Sequence, residues 1–129
     1  MPANAAGAPS ANTAERCQAW LRHQGEASRL SAEWARLEAR LQVENGWYKM
    51  SQRARARHPG QADLDKIQAR LEEVDSSRDA LLPTLAELPA TTREGVALKL
   101  AVAAELVDVA DFPEAHALIA RAREEVLRL

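Results

Sequence analysis

The longest regular apolar pattern in the chain runs from Leu64 to Leu88. Its apolar residues recur every three or four positions, and the polar Arg78 occupies the one such position between Val74 and Leu81. They are Leu64, Ile67, Leu71, Val74, Leu81, Leu85 and Leu88. This spacing places them on one face of an α-helix, and strand alternation cannot produce it. At about 1.5 Å per residue the stripe is roughly 36 Å long. Another element has to cover it, and a second helix is the natural choice.

A stripe of the same period precedes it and predicts helix 1 over about 13–57. The members of this stripe are Trp20, His23, Ala27, Leu30, Trp34, Leu37, Leu41, Glu44 and Tyr48. Asn12 and Glu15 have capping-box spacing at its start, and Gly25 predicts a kink or fraying. Asn45-Gly46 could end the helix through a left-handed cap, but we favour continuation because no breaker follows before His58-Pro59-Gly60. The chain is predicted to turn there.

Predicted helix 2 covers about 63–88, with Asp63 as its N-cap and Pro83 inside its stripe. Proline removes one backbone hydrogen bond, so it either bends the helix or splits off its last residues. The apolar period survives the proline, which favours a bend. Two striped helices joined by a tight turn predict a long antiparallel hairpin with coiled-coil-like packing.

Two shorter helices are predicted downstream, helix 3 over about 92–109 and helix 4 over about 112–128. Thr91 with Glu94 and Asp111 with Glu114 have capping-box spacing at their starts. Helix 3 has a wide apolar surface made of Val96, Leu98, Leu100, Val102, Ala103, Leu106, Val107 and Ala110. Helix 4 is predicted to turn Ala115, Leu118, Ile119, Ala122, Val126 and Leu129 inward. Their short link makes them antiparallel neighbours.

The predicted fold is therefore all-α: a long antiparallel hairpin with a second, shorter C-terminal hairpin, four-helix-bundle-like. Residues 1–11 are rich in Ala, Pro, Gly and Asn and lack the pattern of a secretory signal. We predict a disordered tail there. The remaining residues, 12–129, form a single helical domain, which suits the length of the chain.

Charge and cysteine content narrow the class of protein. The 17 basic and 19 acidic residues nearly balance, so no global field attracts the chain to nucleic acid or an anionic membrane. Cys17 is alone, so it has no intrachain disulfide partner, and a reducing cytoplasm fits best. The most apolar window, Val96–Ala110, contains charged residues and is too short to cross a bilayer. We expect no membrane partner.

A basic run without acidic residues lies between Gly46 and His58 and contains Lys49, Arg53, Arg55 and Arg57. In a continuous helix, Lys49, Arg53 and Arg57 share one face and could contact phosphates of nucleic acid. The alternative is local pairing across the turn with the acids of helix 2: Asp63, Asp65, Glu72, Glu73 and Asp75. We favour pairing, because charge runs on helices are usually solvated or locally paired.

Trp47 stands beside the basic run, just off the stripe of helix 1. An amphipathic aromatic residue next to arginines could anchor a partner. We favour the alternative, in which Trp47 covers the end of the bundle.

The sequence contains no recognisable catalytic or metal-binding motif. Di-iron sites in helical bundles use Glu-x-x-His pairs, but the residues three before His23, His58 and His116 are Trp20, Arg55 and Pro113. Cys17 alone supports no zinc cluster, and no glycine-rich phosphate loop or nucleophile elbow is present. We therefore expect no metal, no cofactor and no enzymatic activity.

Residues Ala90–Lys99 have the pattern Ala-Thr-Thr-x-x-Gly-x-x-x-Lys after a long helical pair. With Cys17 and the Trp34-x-x-Leu37-Glu38 segment, the chain resembles short uncharacterised helical proteins of alphaproteobacterial genomes, often near prophage-like regions. This resemblance implies a helical fold and carries no activity.

The C-terminal hairpin also resembles a single tetratricopeptide-like unit. Ala103, Ala115 and Ala122 occupy its small positions, and Asp111-Phe112 resembles its Asp-aromatic turn. Lys99 replaces the aromatic residue expected early in the first helix, and no second copy of the unit is present. An ordinary helical hairpin is the favoured interpretation.

The function predicted from the sequence is that of a non-enzymatic helical interaction or scaffold protein of unknown process. Its expected partner is a protein, either a second copy of this chain or a different chain. The alternative is a small nucleic-acid-binding accessory or regulatory protein. The candidate contact residues for a protein partner or nucleic acid are Trp47, Lys49, Arg53, Arg55 and Arg57.

Overall fold

The computed structural model describes the backbone of residues 2–129 and the side chains of residues 13–129. Five α-helices and one 3-10 turn follow each other along the chain: α1 Pro2–Asn45, the turn Trp47–Lys49, α2 Gln52–Arg57, α3 Pro59–Glu87, α4 Arg93–Leu106 and α5 Pro113–Arg128. The described residues contain no strand. The prediction of an all-α fold made of helical hairpins is confirmed.

The chain divides into two compact units. The hairpin unit is His23–Arg78, and the terminal unit combines the chain up to Arg22 with Asp79–Leu129. The prediction of a single domain over 12–129 stays a prediction.

Within the hairpin unit, α1 and α3 run antiparallel. Gly60 lies against Leu41, Arg70 Nε donates to Glu26 Oε1 at 2.9 Å, and Arg78 Nη1 donates to Gln24 Oε1 at 3.0 Å. The α1 partner therefore moves toward the N-terminus as α3 advances, as the predicted hairpin requires.

The two apolar stripes supply the core of the hairpin unit. One cluster contains Ala27, Leu30 and Val74, with Ile67 and Leu71 packed against it. A second cluster contains Leu41, Trp47 and Leu64, with Trp34, Leu37 and Met50 packed against it. Steps of three and four residues thus bury one face of each helix, and the opposite faces stay polar.

The prediction of one helix through Gly46 is wrong. α1 ends at Asn45, and Gly46 has a φ of 62°, the left-handed conformation that glycine adopts without steric cost. The reversal leads into the 3-10 turn and buries Trp47. Ser51 then starts α2, and its Oγ accepts a hydrogen bond from Ala54 N at 3.1 Å.

Other predicted helix ends also shift. α1 begins at Pro2, so Asn12 is not its N-cap, and residues 2–11 are helical where a disordered tail was predicted. Met1, the first residue of that predicted tail, lies outside the described residues. α3 begins at Pro59 instead of after Asp63, since proline is well suited to the first position of a helix. Pro83 does not split α3, which continues to Glu87.

In the terminal unit, α1, α3 and α4 share a core. Its buried members are Cys17, Trp20, Leu85 and Val102, and Leu21, Leu81, Leu82 and Leu98 pack against them. The α3–α4 connection is held from both sides. Thr13 Oγ1, fully buried, donates to Pro89 O at 2.7 Å, and Lys99 Nζ donates to Leu88 O.

The caps of α4 and α5 differ from the prediction. Thr92, one residue after Thr91, caps α4 by accepting from Gly95 N at 3.0 Å. Asp111 does not cap α5, which starts with Phe112 in the N-cap position and no side-chain cap. Pro113 occupies the first turn as predicted, where its missing N–H does no harm.

α5 packs against α4, yet none of its residues is fully buried. Ile119, Ala122 and Val126 are half-buried, as predicted for the inward face. Leu118 and Leu129, predicted to face inward as well, are exposed by 73% and 83%. One face of α4 is not enough to cover the full apolar surface of α5.

Candidate functional site

Two of the five predicted contact residues support the fold around the 3-10 turn. Trp47 is only 2% exposed, and the His58 ring meets it edge-on, with centroids 5.5 Å apart. Arg55 Nε donates to Trp47 O at 2.9 Å, and its guanidinium carbon lies 5.5 Å from the indole centroid. Trp47 thus covers the end of the hairpin core, the alternative that we favoured.

The other three, Lys49, Arg53 and Arg57, have exposed side chains. Lys49 belongs to the 3-10 turn and only Arg53 and Arg57 to α2, so the predicted alignment of all three on one helix is wrong. The predicted pairing with the acids of α3 is also absent: in the part of the chain whose side chains are described, no ion pair joins them.

A larger candidate site lies in the terminal unit. It is an open groove of about 580 Å³ between α1, α3 and α4. The lining residues are Cys17, Leu82, Pro83, Leu85, Ala86, Lys99, Val102, Ala103 and Leu106. Among the described side chains of this lining, Lys99 is the one that carries a charge, and Leu106 at the rim is 54% exposed. Its size is within the range of small-ligand pockets, about 300–1,000 Å³.

The helices place the groove lining by their periodicity. Lys99, Val102, Ala103 and Leu106 are spaced by three and one along α4 and therefore share one side of that helix. Pro83 and Ala86 are three residues apart on α3 and likewise share one side of that helix. Small side chains on the facing helices leave the groove open, because Ala86 and Ala103 cannot reach across it.

Lys99 brings a positive charge to this apolar lining. Its ammonium donates to Leu88 O beside the C-terminal end of α3, where carbonyl groups favour a cation. Among the residues with described side chains, no carboxylate lies within ion-pair distance of Lys99. The groove therefore combines apolar walls with a cation that lacks an acidic partner there.

Cys17 forms part of the inner wall of the groove and is fully buried. Burial raises the pKa of its thiol, and the nearby positive charge of Lys99 opposes this effect in part. The thiol therefore stays protonated near neutral pH, which makes it a poor nucleophile and metal ligand. Its role in this geometry is that of a small apolar side chain.

The sequence did not single out this groove. The one signal that pointed to it was the wide apolar surface predicted for helix 3, which exceeds what one neighbouring helix can cover. Lys99 belongs to two family-like patterns in the sequence, and neither assigns it a place in a binding site. The groove is formed by side chains from three helices, so the spacing of residues within any one helix cannot predict it.

The described residues have neither a metal-binding cluster nor a helix suited to cross a membrane. They contain no group of three or more His, Cys, Asp or Glu that could hold a metal ion. They also contain no helix that is both long and apolar enough to cross a membrane.

Comparison with known proteins found no matching family model, no matching curated protein and no matching solved structure. The resemblances stated above therefore stay predictions.

Proposed function

We propose that this protein is a non-enzymatic interaction protein that binds an apolar helical segment in the groove of its terminal unit. The observation that supports this most directly is the open apolar lining around Lys99. Amphipathic helices dock into such grooves through apolar residues at helical spacing. The proposal keeps the interaction function predicted from the sequence and moves its site from the basic run to the groove.

The apolar surface that the empty groove exposes to water supports the proposal. Leu106 exposes 54% of its surface to water at the rim, and Pro83 and Ala86 are exposed beside it. Covering apolar surface contributes about 25 cal/mol per Å². Contiguous exposed apolar surface on a folded protein commonly marks a binding site.

Binding of the fluorophore anilinonaphthalenesulfonate (ANS) to dilute protein tests the groove. ANS has an apolar ring system and one negative charge, which match the apolar walls and Lys99. We expect enhanced fluorescence with the wild-type protein and its loss in Leu106→Asp, which places a negative charge at the rim. Ala103→Phe, which fills the groove with an apolar side chain, is expected to reduce binding in the same way.

Val109→Asp is the matched control, because Val109 is 55% exposed and does not line the groove. It is expected to bind ANS as the wild type does. No binding to the wild type, or equal loss in Val109→Asp and Leu106→Asp, would overturn the proposed function. Cooperative thermal unfolding of each variant excludes binding to a partly unfolded state.

A second candidate function, nucleic-acid binding, is favoured by the charges of the basic turn. Lys49, Arg53 and Arg57 are exposed and have no acidic partner among the described side chains. Unpaired cations are available for phosphates, and binding would weaken with salt. The triple change of these residues to Gln is expected to abolish a salt-dependent affinity for DNA or RNA with little change in stability. Absence of that affinity in the wild type removes this candidate.

We infer a cytoplasmic location from the state of the cysteine. The lone Cys17 is buried and free, a state that a reducing compartment preserves. Fractionation of cells that produce the protein tests this inference.

A further inference from the structure

The link between α4 and α5, with the residues beside it, combines exposed apolar and acidic side chains. Val109 and Phe112 are exposed by 55% and 61%. The carboxylates of the same stretch are exposed as well: Glu105, Asp108, Asp111 and Glu114. None of the four forms an ion pair with another described side chain, and no Lys or Arg occurs between positions 100 and 115. The stretch therefore presents apolar surface and uncompensated negative charge together.

An open depression of about 380 Å³ lies at the start of α5. Its lining contains two carboxylates, one aromatic ring and two small apolar side chains: Asp111, Glu114, Phe112, Pro113 and Ala115. Lysine and arginine have an apolar stem and a cationic head, so they match both parts of this lining. Carboxylates bind the head through charge-assisted hydrogen bonds, and an aromatic face attracts a cation.

The backbone around Phe112 is held by hydrogen bonds on both sides. Asp108 Oδ1 accepts from Ala110 N at 2.8 Å, and Phe112 N donates to Asp108 O at 2.8 Å. On the other side, His116 N donates to Phe112 O at 3.0 Å. A site whose backbone is already ordered loses less conformational entropy when it binds a partner.

The charge of the depression limits which partners it can accept. The N-terminus of α5 contributes roughly half a positive charge, which the two carboxylates of the lining outweigh. Nucleic acids and anionic lipids carry phosphates and are repelled by the excess negative charge. A second copy of this chain, with its net charge of −2, is not attracted overall either, whereas a basic protein is.

We propose that this depression binds a lysine or arginine side chain from a basic segment of another protein, through Asp111, Phe112 and Glu114. Val109, exposed in the same link, extends the apolar surface that the neighbouring residues of that segment contact. The site is separate from the proposed function of the groove, because the two linings share no residue.

A pair of peptides tests the recognition of the cation. The first is a fluorescently labelled peptide of Arg, Leu and Ser, and the second has citrulline, a neutral residue of similar shape, in place of each Arg. We expect fluorescence anisotropy to show binding of the arginine peptide, and citrulline to raise its Kd by about fivefold or more. Equal affinities for the two peptides would rule out recognition of a cation.

Variants of the lining locate the binding site. The double change Asp111→Asn with Glu114→Gln is expected to raise the Kd of the arginine peptide by about fivefold or more. Phe112→Ala is expected to raise it by about threefold through loss of the aromatic face. Both changes affect exposed side chains, so the variants should unfold as cooperatively as the wild type.

Matched controls lie on α5 outside the depression. Glu124→Gln with Glu125→Gln removes the same amount of charge from exposed positions, and Leu118→Ala shortens an exposed apolar side chain. Both controls are expected to bind the arginine peptide as the wild type does. A loss in the Glu124 and Glu125 control equal to that in the Asp111 and Glu114 variant would mean that the peptide responds only to total charge, and the proposal would fail.

Three further results separate the possible occupants and the two proposals. Wild-type protein that does not bind the arginine peptide would contradict this site. Self-association of the wild type that disappears in the Asp111 and Glu114 variant would identify a second copy as the occupant and exclude a separate basic partner. Phe112→Ala is expected to bind ANS as the wild type does, so the groove and the depression can fail independently.

Discussion

The two compact units differ in how many large apolar side chains they leave exposed. In the hairpin unit, Ala27, Leu30 and Val74 are buried between two helices, and Arg70 joins Glu26 across them. In the terminal unit, large apolar side chains of α4, α5, the link between them and the last residue are exposed: Leu106, Val109, Phe112, Leu118, Leu127 and Leu129. In the hairpin unit, Val43 and Tyr48 are exposed in this way.

The difference follows from how many sides of each helix are apolar. A narrow stripe on α1 needs one partner, and α3 provides a stripe of matching period. α4 is apolar over a wide arc, so that α1 and α3 cover one part, α5 covers another, and the groove remains between them. The hairpin unit therefore buries a core between two helices, whereas the terminal unit keeps an apolar groove open to solvent.

Placing the same charge in each unit should give the largest contrast in stability. Val74→Asp puts a carboxylate at a site that is 2% exposed in the hairpin core, and we expect a loss of about 3–5 kcal/mol in the free energy of unfolding or a failure to fold. Urea unfolding followed by circular dichroism measures this loss.

Leu118→Asp is the counterpart on α5 and is expected to change the unfolding free energy of the dilute protein by no more than about 0.5 kcal/mol. Similar losses for the two variants would show that both units bury their apolar residues to the same extent, which would contradict the comparison.

Gly60 provides a second, smaller test of close packing in the hairpin unit. A Cβ at this position would lie 2.6 Å from Leu41 Cδ2, so Gly60→Ala forces the buried Leu41 to move. We expect a loss of about 1–2 kcal/mol, measured by thermal or urea unfolding.

Gly25→Ala is the matched control, since its Cβ would meet nothing within 4 Å. Alanine is the better helix former by about 0.5–1 kcal/mol, so this change should stabilise the protein. If both changes shift stability in the same direction, the contact of Gly60 with Leu41 is not tight.

The pH dependence of the free energy of unfolding tests how well the inner wall of the groove shields Cys17 from water. Burial holds the pKa of the thiol above its ordinary value in the folded protein. The stabilisation from this shift is complete below the pKa of the unfolded thiol and is lost as pH rises through the folded pKa. The free energy of unfolding of the wild type should therefore fall, relative to that of Cys17→Ala, as the pH is raised above about 8.5.

The same burial should make Cys17 unreactive toward a thiol reagent in the native protein and fully reactive in urea. Rapid labelling of the native thiol would show that the groove opens down to Cys17.

The smallest effect is expected for the exposed ion pairs of the hairpin unit. Arg70 is 2.9 Å from Glu26 and 3.1 Å from Glu73, but its side chain is 52% exposed. Solvent screens such pairs, so Arg70→Gln should lower the free energy of unfolding by less than Gly60→Ala does. Arg53→Gln removes a charge without an ion pair among the described residues and should cost less. A larger loss for Arg53 would reveal a contact at the basic turn.

Local spacing determined a large part of this fold. The steps of three and four from Leu64 to Leu88 predicted one long helix, and His58-Pro59-Gly60 predicted the turn before it. The antiparallel hairpin and the burial of Trp20, a member of the helix 1 stripe, followed from the same reasoning. These features depend on helix periodicity and turn chemistry, which act over a few neighbouring residues and are therefore visible in the sequence.

Tertiary structure alone decided the rest. The sequence at Gly46 allowed α1 either to continue or to end. In the structure α1 ends there, and Trp47 is buried against Leu41 and Leu64. The groove, the partnerless charge of Lys99 and the exposed face of α5 depend on which sides of each helix find a neighbour. A helix sequence specifies which of its faces are apolar, but whether a face meets another helix or water depends on residues distant in the chain.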